Sequence, residues 1–179
     1  MATVLVLLAD GFEEIEAVTI IDVLRRGEVA VTTASLAGKH VRGSHQIVIE
    51  SDTLLDSVNI DHFDALVLPG GPAAKTLREE PRVLAAIRRA ASAGKLVAAV
   101  CAAPTALEAA GVLVGKRATV FPGNQLPSAQ LVEESVVEDG NILTSRGPGT
   151  TMAFALKLVE RLAGAEVARK TGERMLFAG

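Results

Sequence analysis

The chain has 179 residues, a formal charge of −3 and 49% apolar residues, but no Trp or Tyr and only five Phe. That length holds one domain with a sizeable core, and an interior of Val, Leu, Ile and Ala is that of layered α/β packing. There is no basic field to neutralise a phosphate backbone, which argues against nucleic acid as a charge-driven partner, and a single cysteine excludes an intramolecular disulfide framework and fits a reducing compartment, so the cytoplasm is the expected location.

Residues 3–8 form a short continuous apolar run, the pattern of a strand buried on both faces of a parallel sheet. The run has no basic preface and enters Asp10 without a cleavage pattern, so no export signal is expected. After a turn at Asp10-Gly11, residues 13–26 predict a helix with Glu14, Val18, Ile21 and Arg25 on one face. Acids in its first turn and Arg25-Arg26 at its end match the helix dipole. Residues 29–34 read as the next strand, and residues 41–49, broken by Gly43-Ser44, as a hairpin arm or edge strand. Residues 64–68 are again a buried strand, ending at Pro69-Gly70-Gly71.

Pro81 opens a second helix at its first position, with Val83, Leu84, Ile87 and Ala91 on the apolar side and a close at Gly94. The apolar stretch 96–115 approaches the length of a membrane span, but Pro104, Thr105 and Glu108 interrupt it and Lys95 and Lys116 bracket it. It reads instead as a strand over residues 96–100, an elbow at Cys101, and a helix ending near Gly111. A strand around residues 118–120, a Pro/Gly-containing loop to Pro127 and a hairpin over residues 136–145 follow, with the hairpin turn at Glu138-Asp139-Gly140-Asn141. The chain closes with a helix from about Thr150 to Leu162, where Phe154, Leu158 and Leu162 share a face. This alternation predicts a mostly parallel open sheet with helices on both faces, whose ligands sit at the carboxyl ends of the strands. Three loops fall on that edge: residues 9–16, Pro69-Gly70-Gly71, and residues 100–103.

A cysteine on a sharp strand-to-helix turn is exposed to ligand and to free N–H groups that stabilise a thiolate. Against this stands the reading of Cys101 as a small buried apolar residue. Glu16 lies close to the same edge, and a carboxylate and thiolate forced together share one proton, which makes Glu16 a protonated donor or general acid/base. Glu13 and Glu14 read as dipole-favouring acids. The N–H groups after Pro69 are placed to cradle an oxyanion. No metal is expected, since His40, His45 and His62 show no ligand spacing, and no phosphate-loop or dinucleotide glycine fingerprint calls for a cofactor. All three histidines precede Asp64 and the residue after Cys101 is Ala102, which argues against a Cys-His peptidase.

Four blocks in order, residues 9–16 (ADGFEEIE), 68–71 (LPGG), 98–105 (AAVCAAPT) and 144–150 (TSRGPGT), resemble the ThiJ/PfpI superfamily, within it the branch of the parkinsonism-associated protein deglycase and its bacterial YajL-type relatives. The resemblance runs nearly end to end. It implies a flavodoxin-like three-layer sandwich over residues 1–179, a single domain like that of class I glutamine amidotransferases, and a homodimer. It also implies a strained elbow cysteine at Cys101 bonded to a protonated Glu16, an oxyanion pocket at Gly71 and Ala102 with Gly70 shaping the turn, and Arg26 and Arg146 near the dimer interface and active-site rim. Phe121 stands where many animal members carry a histidine, and YajL-type relatives also have an apolar residue there. His45 stands where some members carry an arginine. The protease-like branch has Cys-His where this chain has Cys-Ala, so its peptidase activity is not implied.

Two functions compete. One is a cofactor-independent enzyme acting on methylglyoxal, glyoxal or their early adducts through Cys101 and Glu16. The other is an oxidative-stress sensor or redox-regulated chaperone that uses Cys101 oxidation. A fold with an inert thiol is the third reading.

Overall fold

A computed structural model of the chain describes residues 1–177. The elements run β1 (Thr3–Leu8), α1 (Glu14–Arg26), β2 (Ala30–Ser35), β3 (His40–Arg42), β4 (Val48–Glu50), β5 (Thr53–Leu54), β6 (Ala65–Leu68), α2 (Ala73–Glu79), α3 (Pro81–Ser92) and β7 (Leu96–Val100). Then come α4 (Pro104–Ala109), β8 (Arg117–Ala118), β9 (Gln130–Leu131), β10 (Val136–Asp139), β11 (Ile142–Ser145), α5 (Thr151–Ala163) and α6 (Ala165–Arg174). Seven strands form the central sheet in the order β10-β11-β7-β6-β1-β2-β5, and β3 and β4 form a separate antiparallel hairpin. Within the central sheet only β10, which returns along β11, is antiparallel. Helices α1, α5 and α6 pack in one layer and α2, α3 and α4 in another, giving a flavodoxin-like three-layer arrangement. Among the described residues no helix is long and apolar enough to cross a membrane.

The central strands are apolar along their whole length because both of their faces are covered. Residues 4–8 of β1 and all of β6 and β7 are buried. Their register sets the level at which the chain leaves the sheet. Leu68 pairs with Ala99 and Ser145 with Val100, so Gly70, Cys101 and Arg146 emerge from three adjacent strands near one height.

Several elements depart from the sequence reading. The side of α1 that packs inward is Ala17, Ile20, Val23 and Leu24, while Val18 and Arg25 are exposed and Ile21 is only partly covered. Helix α3 buries Val83, Ala86, Ile87 and Ala90, with Leu84 and Ala91 at the margin. The strand expected around 118–120 is the two-residue β8, paired with β9. The chain does not close with α5: α6 follows after Gly164, its exposed side carrying ion pairs from Arg169 and Lys170 to Glu166 and Glu173. Helix α2, directly after the Gly70-Gly71 turn, and β5 were not foreseen either. Short elements of this kind carry too few periods for a hydrophobic pattern to register.

The contact between α1 and α5 is tight at Gly27, where an added Cβ would lie 2.6 and 2.7 Å from the two methyl carbons of buried Val159. Gly27→Ala is therefore expected to destabilise the fold by about 1–3 kcal/mol through overpacking, read from the denaturant midpoint. An unchanged midpoint would show that the two helices have slack there.

Candidate active site

Cys101 directly follows β7 and has φ +62°, the left-handed region that costs a non-glycine residue about 1–3 kcal/mol and persists only where the surroundings hold it. Two hydrogen bonds do so. The Cys101 N–H donates to the Ser145 carbonyl at 3.0 Å, and the Phe121 N–H donates to the Cys101 carbonyl at 2.8 Å. Pro104 then starts α4 at a position where a missing N–H is harmless. The side chain of Cys101 is thereby turned toward the first helix rather than continuing the strand's alternation.

Glu16, in the first turn of α1, is completely buried and meets the thiol there. Its Oε2 accepts the Gly70 N–H at 2.7 Å, while Oε1 has no oxygen or nitrogen partner. Burial pushes the Glu16 carboxyl up to about 7, aided by the nearby Glu13 charge and opposed by hydrogen bonds from Gly70 and Cys101. Burial and then the Glu16 charge push the Cys101 thiol up to about 12, against N–H groups of Gly71 and Ala102 that face the sulfur. Both shifts have one meaning: two acids in one dry site lose their protons in widely separated steps, the first at about 7, above which the pair shares the single proton that remains.

The glycines make this approach possible. A Cβ at Gly70 would sit 2.7 Å from the Cys101 Cβ and 2.9 Å from the Glu16 Oε2. Gly71, at φ +82°, turns its backbone back on the start of α1, where a Cβ would meet the Glu13 nitrogen and the Gly11 carbonyl oxygen at 2.6 Å each. Thus Gly70 not only shapes the turn but donates to Glu16, and Gly71 and Ala102 supply N–H groups at the sulfur. Helix α4 spans only six residues, so these local N–H groups, more than a macrodipole, are what favours an anion there.

Glu13 and Glu14 do more than favour a helix dipole. Glu13 caps α1, its Oε2 accepting the Glu16 N–H at 2.7 Å, and so fixes the turn that carries Glu16. Glu14 is clasped by the β3–β4 hairpin: its carboxylate accepts the His45 N–H at 2.6 Å, the Ser44 hydroxyl at 3.1 Å and the Ile47 N–H at 3.4 Å, with His45 Nδ1 at 3.1 Å. Burial would raise its pKa, but these donors outweigh burial and hold the carboxyl at about 2. Glu13, Glu14 and His45 could present ligand atoms to an ion within 4.8 Å of one another, yet the Glu14 oxygens are already engaged by the hairpin. No histidine meets the thiol among the described residues. Arg26 lies at the far end of α1, exposed and paired with Asp22 at 2.7 Å, and is not brought to the thiol. Arg146 emerges beside the elbow, part-buried. The backbone clamps at Phe121 and Ser145 and the hairpin seat of Glu14 escaped sequence reading; the Thr144-Ser145-Arg146-Gly147 block pointed to the first of these regions without giving its role.

The shared proton has a kinetic signature. Alkylation of Cys101 by iodoacetamide is expected to accelerate through about pH 7, as the pair loses its first proton and a fraction of the molecules presents a thiolate. In Glu16→Gln that step should vanish, since an amide does not titrate. A step near 7 that survives the substitution would exclude Glu16 as its source.

Known proteins agree with this architecture. The family model described as the DJ-1/PfpI family matches residues 2–161. Protein DJ-1alpha of Drosophila melanogaster is 45% identical over 97% of this chain and 83% of its own length. A Parkinson disease protein 7 homolog of Danio rerio is 43% identical over 92% of this chain and 91% of its own. A protein of Pyrococcus abyssi named as a deglycase is 37% identical over 89% of this chain and 98% of its own. Among solved structures, Drosophila melanogaster DJ-1beta superposes with a TM-score of 0.96 at 42% identity over 99% of both chains. An oxidized Toxoplasma gondii DJ-1 superposes with a TM-score of 0.93 at 35% identity over the whole of both. The strained elbow, the buried carboxyl beside it and these matches over nearly the full chain lead to one conclusion: the chain belongs to the DJ-1/PfpI family.

Proposed function

We propose that this protein is a cofactor-independent, glutathione-independent enzyme that acts on methylglyoxal, glyoxal or the early adducts they form with amines and thiols. The observation that carries this reading is the buried Cys101–Glu16 pair with the Gly71 and Ala102 N–H groups at the sulfur. The deglycase name of the archaeal relative supports it. With methylglyoxal, the Cys101 sulfur attacks the aldehyde carbon, and the aldehyde oxygen takes up a proton to give a hemithioacetal. The Glu16 carboxylate removes the hydrogen on that carbon as a proton. The electron pair passes into an enediol, and Glu16 returns the proton to the neighbouring carbon, so the former ketone is reduced as the former aldehyde is oxidised to a thioester. Water cleaves the thioester, giving lactate and the free thiol. An amine or thiol adduct enters the same sequence by releasing its amine or thiol. The lone cysteine fits a reducing cytoplasm.

The test is multiple-turnover conversion of methylglyoxal to lactate without glutathione. Cys101→Ser is expected to fall to the uncatalysed rate, and Glu16→Gln to lose about 10²- to 10⁴-fold in kcat with an intact fold. Equal rates in the wild type and either variant would sink the reading. A second reading, redox sensing or redox-regulated chaperoning, is favoured by the oxidized state of the Toxoplasma relative and by N–H groups that would hold a sulfinate on Cys101. A stable Cys101 sulfinate after mild peroxide, without turnover, would shift the assignment to it.

A homodimer completes the proposal. Ile15 and Val18 on α1, 58% and 47% exposed, stand with Ile47 and Val48 of the hairpin region, 55% and 44% exposed, on the outer surface. Val18, Ile21 and Ile49 line one groove between the helix and the hairpin. Single exposed apolar residues are ordinary, but a cluster of this kind marks an association surface. Val18→Asp is expected to shift the protein from dimer to monomer in sedimentation equilibrium. A wild type that sediments as a monomer, or a variant that remains dimeric, would remove this surface from the interface.

A further inference from the structure

Beside the elbow lies a cleft of about 160 Å³ whose lining includes Thr119, Phe121, Asn124, Val132, Glu133 and Arg146. Two walls of this cleft are tied to the reacting residue. Phe121 donates its N–H to the Cys101 carbonyl, and Ser145, which precedes Arg146, accepts the Cys101 N–H. Since Ser145 pairs with Val100, Arg146 and Cys101 leave neighbouring parallel strands at the same level, about 5 Å apart by strand spacing.

Arg146 is the unexplained group. Arg146 is a part-buried residue, yet among the described residues its guanidinium has neither a carboxylate nor a carbonyl partner, although Glu133 stands exposed on the same cleft. The other arginines near the sheet's flanks are satisfied: Arg117 by Glu134, Arg161 by Glu138, Arg82 by Asp56 and Glu80. A guanidinium taken partly out of water gains only when a planar anion meets its fork of donors. The cleft volume is near the roughly 150 Å³ that accommodates benzene, so it suits a molecule of two or three carbons bearing one carboxylate. The Phe121 ring, packed against Gly147, and Val132 offer an apolar wall to the carbon end.

The geometry points to a small-carboxylate subsite in which Arg146 holds a two- or three-carbon hydroxy acid in this cleft, next to the residue that forms it. The subsite deepens the dicarbonyl reading, and rests on it for the identity of the natural ligand, because that reaction ends in a hydroxy acid. Phe121 then has a role of its own, as the apolar floor of the cleft.

The test is calorimetric titration of the resting protein with sodium lactate at constant ionic strength, beside neutral lactamide. Lactate is expected to bind saturably and lactamide at least tenfold more weakly. Arg146→Gln should lose at least tenfold in lactate affinity with unchanged circular dichroism. Arg146→Lys, which keeps charge but not the planar fork, should lie between and carries the test if the Gln variant does not fold. Absence of lactate binding, equal binding of lactamide, or affinity retained without Arg146 would each overturn the subsite. Turnover plays no part in the titration, so a protein that binds lactate through Arg146 but makes none keeps the subsite and loses the dicarbonyl reading. One that turns over methylglyoxal but does not bind lactate loses the subsite alone.

Discussion

A carboxyl and a thiol buried against each other, with room for one proton between them, form the constraint around which this molecule is arranged. The arrangement works against stability. The folded pKa of Glu16, about 7, lies above its ordinary 4.5, so between those values the folded state holds a proton that the unfolded chain has released. Stability from this group is fully present below about 4.5 and is lost as pH rises through about 7. The thiol behaves in the same sense at higher pH, since its pKa is also raised. At neutral pH the pair is therefore held in place by the rest of the fold, and the continuous apolar burial of β1, β6 and β7 is what offsets it.

Position follows from register. Parallel strands end at one edge of a sheet, and the loops that leave them meet only if the strands are neighbours in step. Here Leu68 against Ala99 and Val100 against Ser145 bring the Gly70-Gly71 turn, the elbow and Arg146 together. The strain at Cys101 is maintained from outside its own segment, by the carbonyl of Ser145 and the N–H of Phe121. The contribution of Phe121 to the elbow is a backbone N–H, which any residue except proline supplies.

Much of this was legible in the sequence because it rests on strong local signals. Uninterrupted apolar runs gave the central strands, Pro81 and Pro104 marked helix starts, and the run into Cys101 followed by Ala-Ala-Pro-Thr gave the elbow. The approach of Glu16 to the thiol followed from both loops lying on one edge. What escaped detection depends on contacts between distant segments. Nothing near Glu14 announces the hairpin thirty residues on that surrounds its carboxylate, because the partners are distant in sequence and two of them, the His45 and Ile47 N–H groups, are backbone donors that carry no sequence mark. Helix α6 packs through small residues, Ala168, Thr171 and Gly172, and is otherwise covered with charge pairs, so hydrophobic periodicity passed over it.

The two apolar faces of α1 show why the site and the outer surface are linked. Successive residues on a helix are turned by about 100°, so three in a row look in three directions. Glu14 enters the β3–β4 hairpin, Ile15 faces outward and Glu16 points to the thiol. The face that carries Val18 and Ile21 at helical spacing is turned away from the core, the inward stripe is Ala17, Ile20, Val23 and Leu24, and the helix has apolar residues on both sides. Such a helix has two apolar surfaces, one against the core and one that the proposed dimer would cover. Glu14 then binds to that same helix the hairpin that carries Ile47 and Val48, so the exposed apolar face is assembled by a carboxylate two residues from the one that shares a proton with Cys101. The first turn of α1 is thus common to the chemistry and to the surface, and a change in either is felt through the single rigid element that carries both.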